Sequence, residues 1–301
     1  MFSKILIPLD GSKTAEKVLP YARYLAGQFK IPVELLAVID IAEMAAHMAA
    51  EKARLLDTLV EDATRGSGVY LGNVTATFPG ATVRNIVAKG RADDTIVENG
   101  EADKNALIAM ATHGRSGLNR FLLGSVAEKV LRGGTNPLLL VRAAEEGKAE
   151  GEAGFKTIIM PLDGSELADS VLPMVAGVAK KLGLEVILFR AYHIPYNAYT
   201  GDEGFSAVNY DDLIAGVRDE ANEYLEKKAT EVRNLGVNKV SCLTKEGFAG
   251  DEIINLANKT PGGLIAMCSH GRSGVKRWVL GSVTETVVRH TSDPVLISRP
   301  L

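Results

Sequence analysis

The sequence predicts an α/β protein built from two doubly wound, five-stranded parallel-sheet domains in tandem. Three observations lead there. Residues 2–12, FSKILIPLDGS, return at 155–165 as FKTIIMPLDGS, and residues 113–126, HGRSGLNRFLLGSV, return at 270–283 as HGRSGVKRWVLGSV, so one domain is written twice. Runs apolar on both faces, such as ILIPL, VELLAVI and ALIAMA, alternate with longer stretches that suit helices, as in a parallel sheet covered on each side. A chain of 301 residues, 46% hydrophobic and 24% charged, is long enough for two domains and too apolar for a disordered one.

Taken in order through the first copy, strands are expected at 4–9, 33–39, 83–88, 106–111 and 137–141, with helices between them. The stretch 64–82, TRGSGVYLGNVTATFPGAT, resists this reading, because its Gly, Thr and Val content favours loop or strand. Its counterpart RDEANEYLEKKATEVRNLG has a plain helical pattern, and Tyr70 and Leu71 align with Tyr224 and Leu225 at an offset of 154, so a helix is expected over about 66–78. The segment 143–154, AAEEGKAEGEAG, has no large apolar residue, which places a linker at 144–154 between domains 1–143 and 155–301. The last strands, NPLLLVR (136–142) and DPVLISR (293–299), would each leave an exposed apolar edge. They are expected to pair antiparallel and make an intrachain pseudo-dimer, with a further homodimer left open.

Lys plus Arg number 34 against 37 for Asp plus Glu, a net charge of −3 with no basic block, so no nucleic-acid partner is expected. No stretch approaches the roughly 18 apolar residues of a membrane span, so no membrane partner is expected either. Two cysteines suit a reducing, cytoplasmic setting, and Cys242 and Cys268, both on apolar strands, read as buried structural thiols. Met44 and Met48, one helical turn apart, suggest a buried face. The longer insert of the second copy, HIPYNAYTGDEGFSAVNYDD, fits a lid, an interdomain contact or a surface loop equally well.

In an open parallel sheet, ligands bind beyond the carboxyl ends of the strands where the winding reverses. Both repeated motifs fall at such ends. Pro8, Leu9 and Asp10, with Pro161, Leu162 and Asp163, close the first strand of each copy. The loop after the fourth strand runs from Met110 and Ala111 to the helix start at Gly124, Ser125 and Val126; in the second copy it runs from Met267 and Cys268 to Gly281, Ser282 and Val283. Gly114 and Gly117, repeated as Gly271 and Gly274, let the backbone approach a ligand, and the amide hydrogens of the helix start favour a phosphate. Arg115 and Arg272 are phosphate partners in this reading, Ser125 and Ser282 hydroxyl donors, and Asp10 and Asp163 acceptors for ribose hydroxyls. The competing reading is structural: the glycines make a tight turn and the aspartate caps a helix.

The loop is not a Walker A motif, because no Lys follows Gly124, nor is it the G-x-G-x-x-G fingerprint. A triad of Ser125, His113 and Asp10 is set aside, since no G-x-S-x-G elbow is present; His113 and His270 read as loop-stabilising. With one repeated acid per crevice, Asp10 or Asp163, dedicated phosphoryl transfer is poorly provided for.

These residues resemble the universal stress protein family, here as a tandem covering nearly the whole chain. The family's nucleotide loop is G-x-x-G, nine residues, then G and Ser or Thr. RSGLNRFLL fills the nine between Gly114 and Gly124-Ser125, and RSGVKRWVL fills them between Gly271 and Gly281-Ser282. One departure is that the loop's first glycine is Ala111 in one copy and Cys268 in the other. The resemblance implies a Rossmann-like, adenine nucleotide alpha hydrolase-like fold that binds ATP or another adenine nucleotide, with or without magnesium. It further implies that adenine meets the backbone of Val38, with Ala191 as the counterpart. The role implied is stress-response regulation without dedicated catalysis; a slow ATP hydrolase, or a dimeric scaffold with empty or non-nucleotide sites, is the alternative. The first site is expected to bind more tightly, because Ala111 is smaller than Cys268 and Val38 offers more apolar contact than Ala191; a tenfold ratio needs only about 1.4 kcal/mol.

Overall fold

Each expected strand of the first copy forms within about a residue or two of its expected bounds: β1 (Ile5–Pro8), β2 (Val33–Ile39), β3 (Val83–Lys89), β4 (Leu107–Ala111) and β5 (Leu138–Val141). The second copy repeats them as β6 (Thr157–Pro161), β7 (Glu185–Tyr192), β8 (Val240–Glu246), β9 (Gly263–Cys268) and β10 (Val295–Ser298). The structure, a computed structural model, describes residues 1–46, 55–112, 123–142, 153–193, 210–269 and 280–299. The linker residues 144–152, the aromatic insert at 194–209 and Met48 lie outside the described residues.

The strands form one ten-stranded sheet in the order β3-β2-β1-β4-β5-β10-β9-β6-β7-β8, parallel throughout except where β5 meets β10. Leu138, Leu139 and Leu140 pair there with Ile297, Leu296 and Val295, the antiparallel joint expected from two short apolar strands that would otherwise end their sheets as bare edges. Within each half the chain winds outward both ways from the first strand. The reversal between β1 and β4, or β6 and β9, is where such sheets open a crevice.

Helices cover both faces. α1 (Leu19–Phe29), α3 (Leu56–Thr75), α7 (Leu172–Leu182) and α8 (Tyr210–Asn234) pack on one. The other carries α4 (Ala92–Glu101), α5 (Ser125–Gly133), α9 (Ala249–Asn258) and α10 (Ser282–His290). Two short helices, α2 (Ile41–Ala46) and α6 (Glu166–Asp169), and a 3-10 helix at Ala15–Val18 complete the set among the described residues. Strand alternation sends Leu139 and Leu296 to the first layer and Leu138, Leu140, Val295 and Ile297 to the second, so each apolar layer runs unbroken from one copy into the other.

The helix expected over 66–78 is present as α3, and it ends at Thr75. Tertiary packing outweighs its propensity: Leu71 and Val74 are buried against the sheet, whereas Gly66, Gly68 and Gly72 stand where an added Cβ would meet no atom within 4 Å. Cys268 is buried as expected. Cys242 is not; it is half-buried, because β8 is an edge strand with a partly exposed face.

The copies also join outside the sheet. Phe155 stacks on Tyr21, with ring centroids 5.5 Å apart, and meets Tyr24 edge-on at 5.8 Å. On the opposite face Glu128 and Arg132 of α5 meet Glu285 and Arg289 of α10 in a four-residue charged ring.

Candidate functional site

The PLDGS segment folds into the same turn twice. The Asp10 carboxylate oxygen Oδ1 accepts hydrogen bonds from the Ser12 amide (2.9 Å) and hydroxyl (2.6 Å), and Ser12 Oγ accepts from the Ala15 amide at 3.1 Å. Asp163, Ser165 and Ala168 repeat it at 3.0, 2.6 and 3.2 Å. The serine, and not the aspartate as the structural reading expected, therefore caps the following helical turn, while the aspartate braces the serine. Gly11 and Gly164 sit at φ 81° and 87°, a conformation that requires glycine.

The helix start after the fourth strand obeys a different logic. The Gly124 amide donates to the Thr112 carbonyl at 2.8 Å and the Gly281 amide to the Ser269 carbonyl at 2.9 Å, so each loop is pinched shut at its base. Gly124 lies at φ −60°, ψ 145° and Gly281 at φ −62°, ψ 139°, both open to any residue. Turn geometry therefore does not explain why glycine recurs here. The loop residues His113, Gly114, Arg115 and Gly117, with His270, Gly271, Arg272 and Gly274, lie outside the described residues.

In the first copy these elements converge on a cavity of about 900 Å³ at the carboxyl ends of β1, β2 and β4. Of the residues singled out from sequence, Pro8, Leu9, Asp10, Val38, Met110, Ala111, Gly124, Ser125 and Val126 line it. Ser125 and Val126 open α5, whose first-turn amide hydrogens have no acceptor inside the helix. Leu36 O accepts from the Leu9 amide at 2.8 Å, and β1 pairing ends at Pro8 with Leu36. By strand alternation Val38, two residues on, turns its own N–H and C=O the same way, past the end of β1 and into the cavity.

Sequence reasoning missed several lining residues. Asp40 adds a second carboxylate that repetition could not reveal, because its counterpart is His193. Gly66, Ser67 and Tyr70 of α3 form another wall, and the Tyr70 hydroxyl donates to Glu16 Oε1 at 3.2 Å. Its signal was available: Tyr224 makes the same bond to Asp169, so a tyrosine–acid pair at matched positions recurs in both copies. In the second copy Lys228 Nζ also meets Asp169 at 2.9 Å. Burial pushes the Tyr224 phenol well up and the neighbouring Asp169 adds to it. Burial alone would lower Lys228, but its bonds to Asp169 and Glu231 outweigh that and raise it. Near the first cavity Asp93 accepts from Arg91 at 3.2 Å and faces Lys129 at 3.3 Å; burial would raise its carboxyl, yet these two cations hold it below the usual carboxylate value.

Pro161, Leu162, Asp163, Ala191, Met267, Cys268, Gly281, Ser282 and Val283 take the matching positions around β6, β7, β9 and α10. Ala111 and Cys268 are each buried, at 6% exposure.

The chain matches the model of the universal stress protein family twice, over residues 1–142 and 154–299. A universal stress protein of Methanocaldococcus jannaschii is 30% identical over 148 residues, covering 49% of this chain and 84% of that one. One from Mycolicibacterium smegmatis is 21% identical over 306 residues, covering 98% of this chain and 97% of its own. Among solved structures, a universal stress protein from Archaeoglobus fulgidus has the same fold at a TM-score of 0.69 and 21% identity, over 99% of this chain and 98% of that one.

Proposed function

Because this chain belongs to the universal stress protein family, as two of its domains in tandem, we propose that it binds an adenine nucleotide in its first copy as a regulatory ligand in a stress response. The observation that supports this most is the first cavity, whose walls offer three kinds of surface in the order a nucleotide needs. Val38, Ile96 and Met110 supply apolar contact for a base, and the outward N–H and C=O of Val38 suit its polar edge. Asp10 provides a carboxylate for ribose hydroxyls. Gly124, Ser125 and the first turn of α5 provide amide donors and room for phosphates. In this reading Gly114, Arg115 and Gly117 complete the phosphate contacts, and magnesium arrives with the nucleotide as its counter-ion. The second acid of the cavity, Asp40, follows β2 on the base side, so the site is furnished for holding the nucleotide rather than for transferring its phosphate.

Calorimetric titration with ATP tests this. The wild-type protein should bind, and Gly124→Val, which the backbone at φ −60° accepts without strain, should weaken binding roughly a hundredfold, about 2.7 kcal/mol. Chromatography of the recovered ligand should show ATP. Unchanged affinity in the variant would remove the start of α5 from the site.

A further inference from the structure

The two crevices differ most where the sequence motifs do not reach. Pro8 pairs with Leu36 and Pro161 with Phe189, so the next residues along β2 and β7, Ala37 and Arg190, are equivalent. The tyrosines that bond to Glu16 and Asp169 fix the helices in the same way, so four residues earlier Gly66 answers to Glu220. In the first copy Ala37 and Gly66 both line the cavity, and an added Cβ on Gly66 would touch nothing within 4 Å.

In the second copy that space holds side chains. Arg190 is only 11% exposed, with its guanidinium carbon 4.9 Å from the centroid of the Tyr224 ring. Its Nη2 lies 3.5 Å from Glu220 Oε1. Tyr224 cannot swing away freely, since Asp169 accepts its hydroxyl hydrogen and is itself bound to Lys228 at 2.9 Å. To admit a purine, Arg190 would have to leave the Tyr224 face, which a cation with little access to water resists, while Glu220, 74% exposed, adds only a solvent-screened pair.

We infer that Arg190, laid on Tyr224 and flanked by Glu220, closes the second crevice to a nucleobase, so the tandem takes one adenine nucleotide per chain. This rests on the nucleotide reading of the first copy and adds its stoichiometry and the residues that set it. The position shared by Ala37 and Arg190 is then the specificity determinant, ahead of the Ala111 and Cys268 difference in the loop.

The experiment counts ATP per chain by native mass spectrometry and measures affinity by equilibrium dialysis. Wild type should carry one ATP, and Gly124→Val none. Adding Arg190→Ala and Glu220→Gly to the Gly124→Val chain should restore one, with affinity at the second copy raised at least tenfold. If the double opening impairs folding, as circular dichroism would reveal, Arg190→Ala alone serves, and Ala37→Arg in an otherwise wild-type chain should abolish the first site. An opened chain that gains no nucleotide overturns the inference. So does a wild-type chain with two ATP of comparable affinity, one of them removed by Gly281→Val. A wild-type chain that binds none refutes the nucleotide reading of the first copy, and gain or no gain in the opened second copy still decides the inference.

Discussion

Leu139 and Leu296 are direct partners across the antiparallel seam, one from each copy, and both point into the same apolar layer. Opposed residues of an antiparallel pair stand about 4.5–5.5 Å apart at Cα, within the range that a disulfide spans. Leu139→Cys with Leu296→Cys should therefore cross-link within a single chain under mild oxidation, visible as faster migration of the monomer on a non-reducing gel. Cross-linking between chains only, or none, would contradict the seam. Leu139→Pro should remove a ladder donor in the interior of the sheet and lower the midpoint of thermal unfolding by several degrees.

The charged ring beneath the seam contributes less. Arg132 and Glu285, like Arg289 and Glu128, approach to 3.8 Å, with side chains between 20% and 35% exposed, so each crossing is worth about 1 kcal/mol or less. A double-mutant cycle on Arg289→Ala and Glu128→Ala should return a coupling of that size at low salt, shrinking toward zero at 1 M salt. A coupling of several kcal/mol, insensitive to salt, would mean the ring is a principal fastener.

Duplication supplies its own control at the ends of α1 and α7. Lys30 adopts φ 56°, ψ 48°, and its counterpart Gly183 adopts φ 68°, ψ 31°, so one left-handed cap carries a side chain and the other does not. A non-glycine residue in that region costs on the order of 1 kcal/mol. Lys30→Gly should stabilise the protein by about that amount in urea titration, and Gly183→Lys should destabilise it similarly. No change in either direction would show that Lys30 makes compensating contacts.

Cys242 offers a test in pH. Burial pushes its thiol up to about 11, and the Glu226 carboxylate adds to the shift. The thiolate is the reactive form, and at pH 8 it should amount to on the order of one molecule in a thousand. Alkylation by iodoacetamide should accordingly be slow at pH 8 and accelerate as pH rises through 11, and Glu226→Gln should speed it at pH 8 by removing the negative neighbour. Reaction at pH 8 as fast as a free cysteine would refute this environment.

The fold was legible because its determinants are local or duplicated. Two-sided apolar runs marked the strands, and two short apolar edges with no cover marked the seam between Leu139 and Leu296. α3 could be read only through its twin, since its glycines oppose the helix that Leu71 and Val74 impose by burial. The motif residues on one side of the cavity were legible for the same reason. What escaped were features that duplication has altered. Asp40 became His193, Ala37 became Arg190 and Gly66 became Glu220, and no motif flags a position whose meaning lies in the space it leaves. Cys242 was misread because apolar composition alone does not tell a central strand from an edge.

The single antiparallel joint between β5 and β10 also gives the molecule a direction. All strands of one half run parallel, and those of the other half run against them, so the carboxyl rim of the first half lies alongside the amino rim of the second. The first cavity and the second crevice therefore open on opposite rims, with the length of the strands between them. No ligand or small partner can touch both at once, and a protein docking over a nucleotide in the first copy would leave the other rim free to be held by something else.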